Sequence, residues 1–259
     1  MPLNPRIRDW RDQRVWVVGA STGIGAATAR LLLARGARVA LSARSRGPLD
    51  EIAAGHDAQR VRVQPVDMTD AAAIATVHAD LVAAWGALDV VLIVAGAYTP
   101  MRAWDLDLAA VRALLAVNVD GVYGVIHAAL PPMLARGGGH IGIFSSVAGY
   151  RGLPKALAYG PSKAAMINLA ETLYLDVAPK GVAVHVINPG FVRTPLTADN
   201  DFDMPALIEP EEAAESTLRG LERGEFEIHY PKRFTRAMKL LRLLPYRWYF
   251  PLIRRTTGL

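Results

Sequence analysis

The chain has 259 residues, 52% of them hydrophobic, a net charge of +5 and no cysteine. Its length and apolar content suit one large α/β domain with a full core, and the missing cysteine excludes disulfides, thiolate metal sites and cysteine nucleophiles. Residues 228–259 hold eight of the 29 Lys and Arg and none of the 24 acids, so the basic excess belongs to the tail and no nucleic-acid partner is expected of the body.

Residues 1–12 carry three arginines and two acids with no apolar stretch, unlike a secretory signal. A cytoplasmic protein is expected. The best candidate for a membrane span, residues 121–135, is interrupted by Pro131 and Pro132, so no span is expected. Apolar, β-rich runs at 15–18, 38–41, 61–63, 90–94, 140–145, 182–187 and 226–230 read as strands, with helix-patterned segments between them. Gly36 and Gly86 stop two of those helices, after residues 31–35 and 71–85. Short, nearly all-apolar strands alternating with helices predict a Rossmann-like, doubly wound, mainly parallel seven-stranded sheet with helices on both faces. Residues 1–231 make one domain on this reading, and 232–259 are a basic amphipathic extension of it.

Directly after the first strand comes Gly19-Ala20-Ser21-Thr22-Gly23-Ile24-Gly25, opening a helix. Glycines there allow a tight turn and let backbone N–H groups and a helix N-terminus face a pyrophosphate. A plain strand-to-helix turn is the alternative, and the placement between first strand and helix favours the phosphate cradle. At the end of the second strand, where an acid would bind the ribose hydroxyls of NAD(H), the sequence is Leu41-Ser42-Ala43-Arg44-Ser45-Arg46. Without a carboxylate, and with an arginine to grip a 2′-phosphate, NADP(H) is the expected cofactor. Solvated loop charges are the competing reading of these arginines.

Tyr159-Gly160-Pro161-Ser162-Lys163 puts a phenol and an ammonium four residues apart, on one helix face. Shifting a tyrosine from near pH 10 to neutrality takes roughly 4 kcal/mol, of the order a cation about 4 Å away supplies. Upstream, Ser145-Ser146-Val147-Ala148-Gly149 ends a strand at the sheet's carboxyl edge, where a hydroxyl can donate to a substrate oxygen. Ser145 reads as a strand residue.

These motifs, in this order, resemble the roughly 250-residue subgroup of the short-chain dehydrogenase/reductase family, from the glycine loop to Thr194. The resemblance implies an oxidoreductase acting on CH–OH or C=O groups. Tyr159 is then the general acid/base, Lys163 lowers its pKa and binds the nicotinamide ribose, and Ser146 polarises the carbonyl. Asn118, in Val117-Asn118-Val119-Asp120-Gly121, matches the asparagine of a water-linked proton relay. Asp67 and Met68 match the adenine-contacting position, although Asp70 nearby equally suits a helix N-cap. Ala95 and Gly96 line the cofactor, and Pro189, Gly190, Val192 and Thr194 belong to the segment closing over the nicotinamide. A homodimer or homotetramer is implied. Two departures stand out: Val18 replaces the usual threonine before the first glycine, and Ile93-Val94 replaces a pair of asparagines.

The six histidines have no metal-ligand spacing, so no metal is expected. Residues 196–208 match the substrate-covering segment, with Phe202, Met204, Leu207 and Ile208 as apolar contacts and Asp199, Asp201 and Asp203 as solvated charges. From Lys232 the tail is basic and amphipathic, then aromatic from Tyr246 to Phe250. It reads equally as peripheral attachment to the inner face of an anionic membrane, which suits a lipophilic ketone, or as packing over the substrate cleft or a second subunit. A non-catalytic NADP(H)-binding sensor or scaffold is the alternative function.

Overall fold

The computed structural model describes residues 2–198 and 203–257. Seven strands, β1 (Arg14–Val18), β2 (Arg38–Ser42), β3 (Val61–Val63), β4 (Val90–Ile93), β5 (Gly139–Phe144), β6 (Val182–Pro189) and β7 (Glu227–Tyr230), form one sheet in the order β3-β2-β1-β4-β5-β6-β7. Every pairing is parallel, so the sheet is wholly rather than mainly parallel. Strand residues alternate between two cores. In β1, Val15 and Val17 face one apolar cluster and Trp16 and Val18 the other, and burial on both sides explains why these strands read as unbroken apolar runs.

The helices are α1 (Gly23–Ala34), α2 (Arg46–Ala53), α3 (Ala71–Trp85), α4 (Leu108–Leu115), α5 (Gly121–Arg136), α6 (Tyr159–Val177), α7 (Pro210–Arg223), α8 (Lys232–Arg242) and α9 (Tyr246–Thr257). Asp70 caps α3, accepting from Ala73 N at 2.9 Å, which settles its role. A π-helical turn, Ala116–Asp120, joins α4 to α5 without a break, and Gly121 N donates to Ala116 O five residues back. α5 continues through Pro131 and Pro132 to Arg136. Ala129 and Met133 on its inner side are buried in the core, and that packing outweighs the lost backbone bonds. By length and composition alone the continuous helix Leu108–Arg136 could cross a membrane. Here it is a central helix of the fold, packed beside α3 and α6.

The two halves of the sheet meet between β1 and β4, where the chain, having built β2 and β3 on one side, returns to build the other. This change of direction is the usual ligand position of such sheets. A half-buried ion pair holds the opposite edge. Arg14 donates from Nε and Nη2 to Asp89 at 2.7 and 2.6 Å, and from Nη1 to Trp85 O at 3.0 Å. Burial works to raise the Asp89 carboxyl, and the Arg14 hydrogen bonds and charge outweigh it, holding the pKa below the usual value.

Because the folded pKa is depressed, this contribution is complete above the unfolded aspartate value and fades as pH falls through the folded one. Asp89→Asn is expected to cost about 1–3 kcal/mol in urea denaturation at neutral pH. The gap from the parent should close in acid, below the ordinary aspartate pKa; a gap that stays constant into strong acid contradicts this role.

Candidate active site

After β1, where the sheet changes direction, Gly19 has φ +99°, and a Cβ there would lie 2.4 Å from Ala95 N. Only glycine lets the two loops approach so closely. A Cβ on Gly25 would lie 2.0 Å from Gly19 O, and one on Gly23 (φ +53°) would lie 2.8 Å from Thr194 Cγ2. The three glycines therefore fold the loop on itself and let Thr194 come against the start of α1. Thr22, the N-cap of α1, makes no side-chain capping bond, and no acid lies in the first turn. The helix end presents backbone N–H groups and its positive dipole uncompensated by its own side chains. Ser21 is partly buried, and Ile24 packs against the core beneath.

Arg44 is exposed at the end of β2, and its charge helps lower the Asp67 carboxyl after the larger effect of hydrogen bonds from Thr69. Arg46 instead pairs with Asp50 one helical turn on, 3.2 Å away. Asp67 is exposed, whereas Met68 is buried under α5, against the Gly121 backbone. In place of the expected asparagine pair, Ile93 is buried and Val94 packs against the core, so the exchange fills the sheet. A Cβ on Gly96 would come within 3.3 Å of Lys163 Nζ and 3.5 Å of Asn118 Oδ1, so the glycine leaves room for both.

Ser146, Tyr159, Lys163 and Asn118 converge on the carboxyl edge of β4 and β5. Ser146 follows β5 and accepts from Ala148 N at 3.1 Å, and its hydroxyl acts to lower the pKa of the Tyr159 phenol. Asn118 is fully buried inside the π turn. Its Oδ1 accepts from Ala97 N at 2.7 Å, and its Nδ2 donates to Ala97 O at 2.9 Å and to Ser162 Oγ at 3.1 Å. Ser162 in turn donates to Tyr159 O at 2.7 Å. Asn118 thus ties the loop after β4 to the first turn of α6, beyond the relay role the resemblance implies.

Lys163 is buried, donates to Phe144 O at 3.0 Å and lies 5.7 Å from the centre of the Tyr159 ring. Burial lowers its pKa to about 8. Burial pushes the phenol up to about 12, opposed by the hydrogen bond from Ser146 and assisted by Tyr98. The sequence reading expects an ammonium that acidifies the phenol; in this arrangement the ammonium is held by a strand carbonyl and burial governs both groups.

Several site residues escape the sequence reading. Ser145 is more than a strand residue, since its Oγ donates to Lys163 O at 2.6 Å and fastens α6 to β5. Tyr98 stands edge-on to Tyr159 with ring centres 5.0 Å apart. Glu227, the acid in an otherwise apolar strand, accepts from Tyr150 at 2.6 Å and Asn188 at 3.0 Å and pairs with Lys239. An isolated carboxylate in a buried run is the signal that could have found it.

The segment after β6 packs against the start of α1. Pro189 and Val192 are buried, Val192 bridges to Ile208, and Thr194 sits against Gly23. Gly190 leaves room for Phe234 of α8, whose ring is 5.5 Å from that of Phe191. Of the expected substrate contacts, Ile208 is buried, Leu207 and Met204 are partly exposed, and Asp203 is exposed. Phe202, Asp199 and Asp201 lie outside the described residues. Among the described residues no cluster of three metal-ligating side chains occurs.

The profile of the short chain dehydrogenase family matches residues 13–204. An uncharacterized oxidoreductase of Myxococcus xanthus is 37% identical over 231 residues, covering 88% of this chain and 91% of its own length. Among solved structures, a short-chain dehydrogenase from Streptomyces avermitilis superposes with a TM-score of 0.80 at 26% identity, over 95% of this chain and 98% of that one. A structure described as ribose-5-phosphate isomerase from Brucella melitensis 16M reaches 0.78 at 27% identity, over 86% and 93%. Such different descriptions on one fold mean that the reaction has to be argued from the site. With the family profile spanning most of the sheet, and the glycine turn, serine and Tyr-x-x-x-Lys pair gathered at one edge, the chain belongs to the short-chain dehydrogenase family of oxidoreductases.

Proposed function

We propose that this protein is an NADP(H)-dependent reductase or dehydrogenase that interconverts a ketone or aldehyde and the alcohol, with Tyr159 as acid/base. The observation that carries the reading is the gathering of Ser146, Tyr159 and buried Lys163, the last with its Nζ 5.7 Å from the Tyr159 ring centre, beside a tight glycine turn. The cradle fits a dinucleotide. At Gly19, Gly23 and Gly25 the space a side chain would need is taken by Ala95, Thr194 and the Gly19 carbonyl, which keeps the turn tight, and the uncapped start of α1 offers N–H donors to a pyrophosphate. Ser21, Thr22, Ile24, Asp67, Met68, Ala95 and Gly96 border it on this reading, with Pro189, Gly190, Val192 and Thr194 on the nicotinamide side. Arg44, exposed and unaccompanied by a nearby ribose-binding acid, suits a 2′-phosphate.

When bound, the nicotinamide supplies a carbon that gives or accepts hydride. The protein's own groups handle the oxygen. Ser146 donates a hydrogen bond to the substrate oxygen as negative charge grows on it, and Tyr159 gives up its proton there in reduction or takes it back in oxidation. A phenol with a raised pKa keeps its proton through neutral pH, ready for the reductive direction. Lys163 contributes a positive charge beside that transfer, and Asn118 and Ser162 fix the helix turn carrying both groups. Tyr98, Met204, Leu207 and Ile208 give the substrate side an apolar character that favours a lipophilic carbonyl. Cytoplasmic residence and a homodimer or homotetramer belong to the same proposal.

Tyr159→Phe should lower kcat/KM for carbonyl reduction by about 10²–10⁴-fold while NADPH still binds; near-parental turnover rejects Tyr159 as the acid. The parent should favour NADPH over NADH, and Arg44→Ala should erode that preference by about tenfold or more; a native preference for NADH refutes the 2′-phosphate assignment. Lys163 is charged below its pKa of about 8, so reductive kcat/KM should be level below that pH and decline above it. Lys163→Arg should abolish the alkaline decline whatever its absolute rate, and a profile unchanged by the replacement removes lysine from the pH response. A screen of aliphatic, steroid-like, acyl-chain and quinone carbonyls tests the activity as a whole. Tight NADPH binding without oxidation of NADPH by any of them would make the protein a sensor or scaffold.

A further inference from the structure

The tail packs on the body by one face and leaves the other open. On α8, Thr235 and Met238 are buried, and Arg151 donates to the carbonyls of Leu241, Arg242 and Leu244 at 3.0, 3.1 and 2.5 Å. On α9, Tyr249 and Ile253 are buried, Tyr249 donates to Gly152 O at 2.7 Å, and the Arg151 guanidinium lies over its ring at 3.9 Å. The attachment consumes those side chains. It leaves Leu240, Leu243, Tyr246 and Trp248 between 62% and 78% exposed, with Phe250 and Leu252 also exposed. Tyr246 and Phe250 stack on each other at 5.4 Å, and helical spacing puts Trp248, Leu252 and Arg255 on one outward side of α9. Arg233, Arg236, Arg247, Arg254 and Arg255 are exposed among these apolar groups. Lys239 and Lys232 pair inward, with Glu227 and Glu225.

We propose that this outward face of α8 and α9 docks on an anionic lipid bilayer. Large aromatic and leucine side chains at the level of guanidinium groups match a headgroup boundary, where rings lodge among the upper acyl chains and cations meet phosphates. Charge selects the occupant. A second copy meeting this face symmetrically would oppose Arg233, Arg236, Arg247, Arg254 and Arg255 to their own counterparts, with no acid in residues 228–259 to neutralise them. An anionic membrane supplies the missing charge and receives the apolar groups together. Arg151 and Phe234 fix the face beside the loops carrying Ser146 and Gly190. If the carbonyl chemistry proposed above holds, a lipid-dissolved substrate is delivered at that edge.

The test is sedimentation of the full chain with phosphatidylcholine vesicles, with and without phosphatidylglycerol, a readout independent of turnover. Binding to the phosphatidylglycerol vesicles, weakened by salt and absent from phosphatidylcholine alone, is expected. Replacing Arg233, Arg236 and Arg254 by Gln should weaken it about a hundredfold, at about 1 kcal/mol per cation. Leu243→Ser with Trp248→Ser and Phe250→Ser should also release the protein, with the thermal unfolding midpoint reporting that both variants stay folded. Absence of binding, or binding indifferent to both sets of replacements, overturns the proposal. So does concentration-dependent self-association that the serine variant abolishes while vesicles capture nothing, which would identify a second copy as the occupant.

Discussion

The arrangement depends on how α6 is fastened to the carboxyl end of β5. A helix free to slide or rotate would separate its phenol and ammonium from the serine on the adjoining strand, so it is tied at several points. Ser145 Oγ donates to Lys163 O, and Lys163 Nζ returns a bond to Phe144 O. Gly149 lies so close that a Cβ would sit 2.7 Å from the Lys163 carbonyl carbon. Asn118 reaches Ser162 from the opposite side. Each tie uses a polar group that burial would otherwise leave costly and unmatched, so the same bonds serve folding and register.

How much of this was readable beforehand follows from what each feature depends on. The strands were legible because burial on both faces imposes a local composition, and β3 and α3 begin and end where the pattern puts them. The glycine turn, Ser146 and the Tyr159–Lys163 spacing were legible because their chemistry demands particular residues at short separations. That α5 runs through Pro131 and Pro132 depends on the packing of Ala129 and Met133, which local propensity does not show. Ser145 and Glu227 were missed because their meaning lies in partners 18 and 77 residues away, Lys163 and Tyr150 respectively. The tail's two readings could not be separated in sequence, since an amphipathic pattern specifies an apolar inner face without naming the surface it meets.

Electrostatically the protein is divided. The sheet's carboxyl edge is a place where burial, rather than pairing with an opposite charge, sets the behaviour of ionisable groups: Lys163 is brought down by loss of water, and Tyr159 is driven up chiefly by it. His185 of β6, stacked on His140 of β5, is likewise pushed down to about 3 by burial and remains neutral through the physiological range. The carboxylate Glu227 behaves differently, because Lys239, Tyr150 and Asn188 surround it and outweigh its burial. It joins the serine loop, the end of β6 and α8 in one network, so the tail is wired into the domain rather than appended to it.

The π turn at Ala116–Asp120 carries a consequence for how this chain can change. It places one surplus residue in a helical winding, which points Asn118 inward while α5 keeps its apolar side on the sheet. Excising any single residue from those five would restore ordinary winding and swing everything on one side of the cut by about 100°. Either the amide would leave Ala97 or the helix would turn its leucines and valines to water. A substitution here leaves the winding in place whereas a change of length does not, so the spacing between the loop after β4 and α5 is under stricter constraint than most of the residues that fill it.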